Sequence, residues 1–358
     1  MTYNNYCGLK LVVKYAIIAI IVLILASILI TSNIDNYYLW PNTRPIKYQV
    51  INDVQYSSVN IGDDIPIDNA IKRVDIQLKE LLFSNDGKRR PNSRLISAEE
   101  MYKMTNITID KKSCSDQLGR DLLVLVFVFT RVDAFSLRQT IRQTWALDLK
   151  RDNRSQLYFA IGLNEDPKVQ EKVIQEDNQF NDIIQFGYYE HYYKCTVKAT
   201  ALLRWTALRC PYVKYFLKVD DDSYVMADNL MKYCDENDDN SIIGFLWTNV
   251  FVKRNSRDKW FISSDDYQSS TYPDYISGPY LIPGRYMLPM YETAVAHYMP
   301  ALPFEDVYVA GQLAKHLNIT RKRWQSLVYL TDPINVKKID FCQIDVTIFW
   351  QQFNSDLI

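Results

Sequence analysis

The 358-residue chain reads as an α/β protein with a mainly parallel central sheet, carried behind an N-terminal transmembrane helix. Three observations lead there. From Leu118 onward, short apolar runs alternate with stretches of helical period, the pattern of strands joined by helical crossovers. Tyr15 to Ile34 is an uncharged run dominated by Ile, Leu, Val and Ala, long enough to cross a bilayer. And an apolar strand, Tyr215–Val219, runs straight into Asp220-Asp221-Asp222.

Taken in order, Lys10 and Lys14 precede the apolar run and Asp35 follows it. This charge bias keeps the tail, 1–14, in the cytosol and makes 15–34 a signal anchor with the remainder across the membrane. A cleaved signal peptide has a shorter apolar region, about 7–15 residues, and a small-residue cleavage site; Thr31-Ser32-Asn33 imitates one poorly. Residues 35–117 form a lumenal stem. In it, Pro41 and Pro45 mark irregular chain, whereas Ile67, Ile71, Val74, Leu78 and Leu81 have helical spacing. Residues 118–358 form the main domain.

Within that domain Leu122–Phe129 is a buried-type strand, Phe135–Leu149 a helix and Gln156–Gly162 a strand. Lys168–Phe180 is a helix, Ile183–Gly187 a short strand and Tyr193–Arg209 a long amphipathic helix. Strand Val213–Val219 and helix Asp228–Cys234 follow, and Ser241–Val252 resembles an antiparallel pair or meander.

A net charge of −1 excludes a nucleic-acid partner, which calls for a basic footprint. Aromatics make up 13%, with 26 tyrosines, a composition open to two readings: flat sugar-binding surfaces or a Tyr- and Asn-rich background. Asn106-Ile107-Thr108, Asn153-Arg154-Ser155 and Asn318-Ile319-Thr320 are glycosylation acceptors if lumenal. Cys7 falls on the cytosolic side, while Cys114, Cys195, Cys210, Cys234 and Cys342 face the oxidising side. Five is odd, so one is free or pairs between chains. Cys210 and Cys234 flank the Asp-rich segment and are placed to staple it, with the connectivity open.

Three carboxylates delivered to one edge of a sheet repel each other. Either they form a solvated turn or a cation sits there, and hard oxygen ligands suit Mg²⁺ or Mn²⁺ with substrate phosphates completing the shell. The carboxyl ends of parallel strands are also where ligands bind.

Four blocks in order then carry a resemblance. Arg138-Gln139-Thr140-Ile141-Arg142-Gln143-Thr144-Trp145 is the first and Glu190-His191-Tyr192-Tyr193-Lys194-Cys195-Thr196-Val197-Lys198 the second. Phe216-Leu217-Lys218-Val219-Asp220-Asp221-Asp222 and Glu305-Asp306-Val307-Tyr308-Val309-Ala310-Gly311 complete the set. Together, over roughly Leu122 to Lys322, they resemble the β-1,3-galactosyltransferase / β-1,3-N-acetylglucosaminyltransferase family, glycosyltransferase family 31. Lys194 and Cys195 replace the family's Asn and Leu.

The resemblance implies a GT-A type nucleotide-sugar-binding domain and an inverting β-1,3 transfer. The donor is UDP-galactose, or UDP-N-acetylglucosamine, and the acceptor a glycan on glycoprotein or glycolipid, with Mn²⁺ (or Mg²⁺) as cofactor. The setting it implies is the Golgi membrane, with the catalytic domain lumenal. Asp222 is then the direct metal ligand with Asp220 beside it, while Asp221 faces away toward the donor. Asp306 matches the general base, supported by Glu305; the same pair also suits a helix N-terminus. Arg138 and Arg142, four apart on one helix face, reach the diphosphate or uracil pocket or else make surface ion pairs, and Lys198 is a donor-site candidate. Trp145 reads as core, and His191, His297 and His316 as structural. One block departs: in Tyr272-Pro273-Asp274-Tyr275-Ile276-Ser277-Gly278-Pro279-Tyr280, Pro279-Tyr280 stands where the family has a small, flexible tail. That leaves an alternative, a catalytically inactive glycan- or partner-binding protein on the same fold.

Overall fold

A computed structural model describes residues 95–295, 301–330 and 348–351. The chain divides into two units, Met1–Asp63 and Asp64–Ile358, and the described residues belong to the second. The tail, the apolar segment 15–34, the stem helix at 67–81, Cys7, His297 and Cys342 lie outside them. Among the described residues no helix is long and apolar enough to cross a membrane.

The elements, in chain order, are α1 (Ala98–Met104), β1 (Ile107–Ile109), β2 (Val124–Phe129), α2 (Phe135–Gln143), α3 (Trp145–Leu149), β3 (Ser155–Leu163), α4 (Pro167–Phe180) and β4 (Ile183–Tyr189). Next come α5 (Cys195–Arg209), β5 (Tyr215–Asp220), β6 (Ser223–Val225), α6 (Ala227–Glu236), β7 (Ser241–Trp247) and β8 (Tyr275–Pro283). The described part continues through α7 (Met287–Val295), a π-helix at Asp306–Leu313, α8 (Ala314–His316), β9 (Thr320–Arg323), β10 (Leu327–Leu330) and β11 (Ile348–Gln351).

Local chemistry accounts for the boundaries. Asp166 caps α4 by accepting from the Lys168 amide, Pro167 opens the helix, and Asn181 closes it in the left-handed region. The stretch expected to be one helix, Phe135–Leu149, is two. Thr144 leaves helical geometry (φ −117°, ψ −119°), its hydroxyl donating back to the Thr140 carbonyl. Trp145 is then free to turn into the core, where it is buried as expected. The helix expected to be amphipathic, α5, is buried almost all round from Thr196 to Ala207, because the sheet lies on one side and α7 and the π-helix cover others.

The main sheet has the order β1-β4-β3-β2-β5-β8-β7-β9. Its β4-β3-β2-β5 half is parallel, as expected. Beyond β5 it turns mixed, since β8 runs antiparallel to both β5 and β7 while β9 is parallel to β7. The antiparallel partner expected within Ser241–Val252 is therefore supplied from Tyr275–Pro283 instead. A second sheet joins β10, β11 and β6.

Alternation along β2 explains its unbroken apolar sequence. Val124, Val126 and Val128 face one core with Trp145 and Leu230, while Leu125, Phe127 and Phe129 face the other with Trp205 and Tyr280. Phe127, Tyr158, Trp205 and Phe216 interlock there, with Phe127 edge-on to Trp205 at 5.6 Å. Residues 95–117 join this body: Met101 is fully buried, β1 pairs with β4, and Cys114 is disulfide-bonded to Cys210. Cys210 thus does not bridge to Cys234, which is a buried free thiol. Its partner lies across the chain rather than across the acidic segment, with Cα atoms 5.5 Å apart.

The connectivity sets the place for chemistry. From β2 the chain builds outward through β3 and β4, then returns to lay β5 on the opposite side of β2. The carboxyl ends of β2 and β5, where Phe129 pairs with Asp220, are therefore the topological switch point.

Candidate active site

Lys218 interrupts the apolar run of β5 two residues before Asp220, and side chains two apart on a strand share a face. Its ammonium is buried and lies 2.7 Å from Asp220 Oδ1 and 2.7 Å from Glu305 Oε1. Glu305 Oε2 accepts from the Tyr280 hydroxyl at 3.0 Å. One lysine thus joins the end of β5, the start of the π-helix and, through Glu305, strand β8. Burial pushes the Lys218 ammonium toward neutrality, but Asp220 and Glu305 outweigh it and hold it firmly protonated. Neither Lys218 nor Tyr280 is singled out by sequence reasoning as a site residue. The available signal for Lys218 was a lone charge inside a buried-type strand.

Pro279-Tyr280 does not form a disturbed loop. It lies inside β8, where the register against β7 shifts: Gly244 pairs with Tyr280 but Phe245 with Ser277. Gly278 and Pro279 form the bulge, with Gly278 at φ +68°. A bulged residue needs no ladder N–H, so proline is tolerated there. Gly244 is required opposite it, since a Cβ would sit 2.6 Å from the Pro279 carbonyl oxygen. The bulge also directs the Gly278 carbonyl toward Lys218 Nζ, at 3.4 Å.

Asp306 follows Glu305 and opens the π-helix, a rare element often found at functional sites. Its Oδ1 accepts from the Val307 amide at 2.8 Å, and the residue is half-buried. Burial, and after it the neighbouring Glu305 charge, raises the Asp306 carboxyl to about 7. Burial likewise raises Glu305, against the pull of Lys218.

The acidic triplet divides its roles. Asp220 is bound by Lys218 through both carboxylate oxygens. Asp221 turns aside: its amide donates to the Phe129 carbonyl, and its carboxylate bonds the Thr130 side chain. Asp222 has a buried Oδ1 with no hydrogen-bond partner. Burial, followed by the Asp220 and Asp221 charges, raises its carboxyl to about 8. A buried carboxylate oxygen facing like charges with nothing to bond is stabilised by a cation. Among the described residues no three His, Cys, Asp or Glu side chains are grouped to hold a metal by themselves. The donor set fits an ion of the Mg²⁺ class bound through one or two carboxylates, with substrate oxygens and water filling its shell.

Arg138 and Lys198 shape the wall of this site. Arg138 is fully buried; it donates to both Glu176 oxygens and to the Arg131 and Val132 carbonyls. Lys198 pairs with Glu190 at 2.7 Å and donates to the Thr130 carbonyl, and Glu190 accepts from the Val132 amide. Together they fix the turn at 130–132, directly beyond β2. Arg142 stands further back, pairing with Glu176 and Asp182 at 2.7 Å each. Both arginines are in ion pairs, but buried ones and not the surface pairs expected, because Glu176 and Asp182 cover them. His191 caps the turn before α5 through Nδ1, which accepts from the Tyr193 amide.

A cavity of about 490 Å³ lies elsewhere, between α2 and α4, lined by Phe135, Gln139, Lys172 and Phe180 among others. No residue of the acidic triplet or of Glu305-Asp306 lines it, so the convergence of carboxylates, not cavity size, marks the candidate site.

The galactosyltransferase family model matches residues 136–325. Human beta-1,3-galactosyltransferase 2 is 28% identical over 242 residues, covering 65% of this chain and 54% of that protein. Human lactosylceramide 1,3-N-acetyl-beta-D-glucosaminyltransferase is 31% identical over 225 residues, covering 58% and 57%. The chain thus spans little more than half the length of these relatives. A galactosyltransferase crystallised with donor and acceptor sugar analogues superposes with a TM-score of 0.34 at 10% identity, over 64% of this chain and 87% of that one, a likeness too loose to argue from. The matched span contains every carboxylate and lysine of the cluster around Lys218, and on that match the chain belongs to the galactosyltransferase family, in the group of β-1,3-galactosyl- and β-1,3-N-acetylglucosaminyltransferases.

Proposed function

We propose that the protein is an inverting, metal-dependent glycosyltransferase of GT-A type. It moves galactose, or N-acetylglucosamine, from a UDP-sugar to a glycan acceptor in β-1,3 linkage, as a type II protein of the Golgi membrane. The observation that supports the reading is the Lys218 bridge between Asp220 and Glu305, near neighbours in the chain of the orphaned carboxylate of Asp222 and the raised carboxyl of Asp306. The relatives' names support the linkage and the two candidate sugars.

Asp222, with Asp220 beside it, would hold a Mg²⁺ or Mn²⁺ ion, which when bound would supply Lewis-acid neutralisation of the diphosphate, worth several kcal/mol. The chain's own residues do the rest. Asp306 accepts the proton of the acceptor hydroxyl as that oxygen forms its bond to the anomeric carbon and the bond to UDP breaks. A carboxyl raised to about 7 is a stronger base than an ordinary one and is about half ionised at neutral pH. Glu305, anchored by Lys218 and Tyr280, fixes the start of the π-helix and so the position of Asp306. Arg138, Lys198 and Glu190 hold the turn at 130–132 against the donor side.

The test is UDP release from UDP-galactose and UDP-N-acetylglucosamine by the full-length chain in detergent, with Mn²⁺ or EDTA, beside Asp306→Asn. Metal-dependent release that the variant loses is expected. UDP binding without turnover across a broad acceptor panel would instead establish a non-catalytic binding protein.

A further inference from the structure

Between Trp247 and Tyr275 the chain runs for 27 residues without a helix or a strand longer than an isolated bridge. Loops of this length in a compact domain are usually functional. This one is built, not slack. The Arg254 guanidinium donates to four backbone carbonyls, those of Ile262, Ser263, Tyr267 and Ser269, at 2.6 to 2.8 Å. Beneath it Val252, Ile262 and Tyr272 pack in one cluster with Leu302, Phe304 and Val307, the residues that bracket Glu305-Asp306. The loop is therefore the wall beside the general base.

Its outer surface carries an aromatic pair. Trp260 is 42% exposed and Tyr192, from the turn before α5, 48% exposed. The indole Nε1 donates to the Tyr192 hydroxyl at 3.3 Å, and the Lys259 ammonium lies 4.1 Å from the Tyr192 ring centre. Tyr193 ties the two segments by donating to the Lys259 carbonyl at 3.0 Å. One ring face of Tyr192 is thus taken by a cation, and the polar edge of Trp260 is satisfied within the protein. The same ammonium lies 5.6 Å from the Trp260 ring centre, so what Trp260 offers to solvent is a flat ring surface in a fixed orientation, with that cation at its side. The Asp306 charge also reaches Tyr192, adding to the burial that raises its hydroxyl.

We propose that Trp260, oriented by Tyr192, is the stacking platform for a hexopyranose ring of the acceptor. The C–H face of a pyranose is apolar and matches an indole in area, while its hydroxyl rim stays in water or turns toward Asp306. The acceptor and not the donor is assigned here because the loop adjoins the residue that takes the acceptor's proton, whereas the diphosphate belongs at Asp222. This rests on the transferase reading above.

The test uses the full-length chain in detergent, with methyl β-galactoside and methyl β-N-acetylglucosaminide as probes. Saturation-transfer NMR reads glycoside binding, and calorimetry reads UDP binding with Mn²⁺. Trp260→Ala is expected to lose glycoside binding and, in turnover, to raise the glycoside KM about tenfold, with the KM for UDP-sugar unchanged. Trp260→Phe retains part of the binding and guards against misfolding, and Phe251→Ala, which removes the loop's most exposed aromatic (71%), leaves it intact. Equal glycoside binding in wild type and Trp260→Ala, or none in a wild type that binds UDP, overturns the platform and leaves the transferase reading standing. Trp260-dependent glycoside binding without any UDP binding does the reverse, and the absence of both overturns both.

Discussion

Asp306 carries two opposed demands, ionisation for catalysis and burial for position. Its folded value of about 7 lies above the unfolded value near 3.9. The folded state therefore holds this proton more tightly, and the stability it contributes is complete below pH ~4 and lost as pH rises through about 7. Activity runs the other way, because the base works only when ionised. We predict that kcat/KM climbs with pH through about 7, and that Asp306→Asn lowers kcat by roughly 10²–10⁴-fold while UDP binding by calorimetry is kept. The same variant is expected to melt higher than wild type at pH 8, with the gap closing on acidification; a pH-independent gap would show that Asp306 does not titrate as a buried acid. Lys218 behaves oppositely. Lys218→Met leaves Glu305 and Asp220 without their buried counter-charge, and a loss of about 3–5 kcal/mol by urea unfolding is expected.

At the scale of elements, what was legible in the chain is what short-range rules encode. The strand at 124–129 shows as a continuous apolar run, and α4 announces itself by Asp166-Pro167 at one end and Asn181 at the other. What was not legible depends on partners far along the chain. Nothing within Ser241–Val252 says that its antiparallel neighbour arrives at Tyr275, so a local pair is the natural and wrong expectation. Arg138 and Arg142 display a helix face, but their burial is decided by Glu176 and Asp182, 34 to 40 residues later. Pro279 reads as a breaker until the bulge that houses it is seen. The ion-pair cluster between α2 and α4 gives a prediction of its own. Glu176→Gln removes the carboxylate shared by two buried guanidinium groups and should cost about 3–5 kcal/mol, with a loosened turn at 130–132 showing as faster amide exchange at Val132.

Over the whole molecule, the sheet is the frame and its switch point the workplace. The four resembling blocks scatter from Arg138 to Gly311, yet Lys218 ties the two on β5 and the π-helix together, and Arg138, Glu190 and Lys198 of the other two hold the turn just beyond β2. Cys114–Cys210 closes a span of 96 residues. Cys114→Ser is expected to lower stability by about 2–5 kcal/mol and to make the melting temperature insensitive to reductant; an unchanged melting curve would place the bond outside the cooperative core.

The position of that bond has a mechanical meaning. Strand β1 is three residues long and lies at the rim of the sheet, so tension applied from its N-terminal side peels it from β4 one pair at a time. The peeling ends at Cys114. There the pull passes through sulfur to the end of α5, a helix buried almost all round, and bypasses the sheet edge. Unzipping from that side therefore halts before it reaches β2, and β5, the strand that carries both Lys218 and Asp220, keeps its register under load.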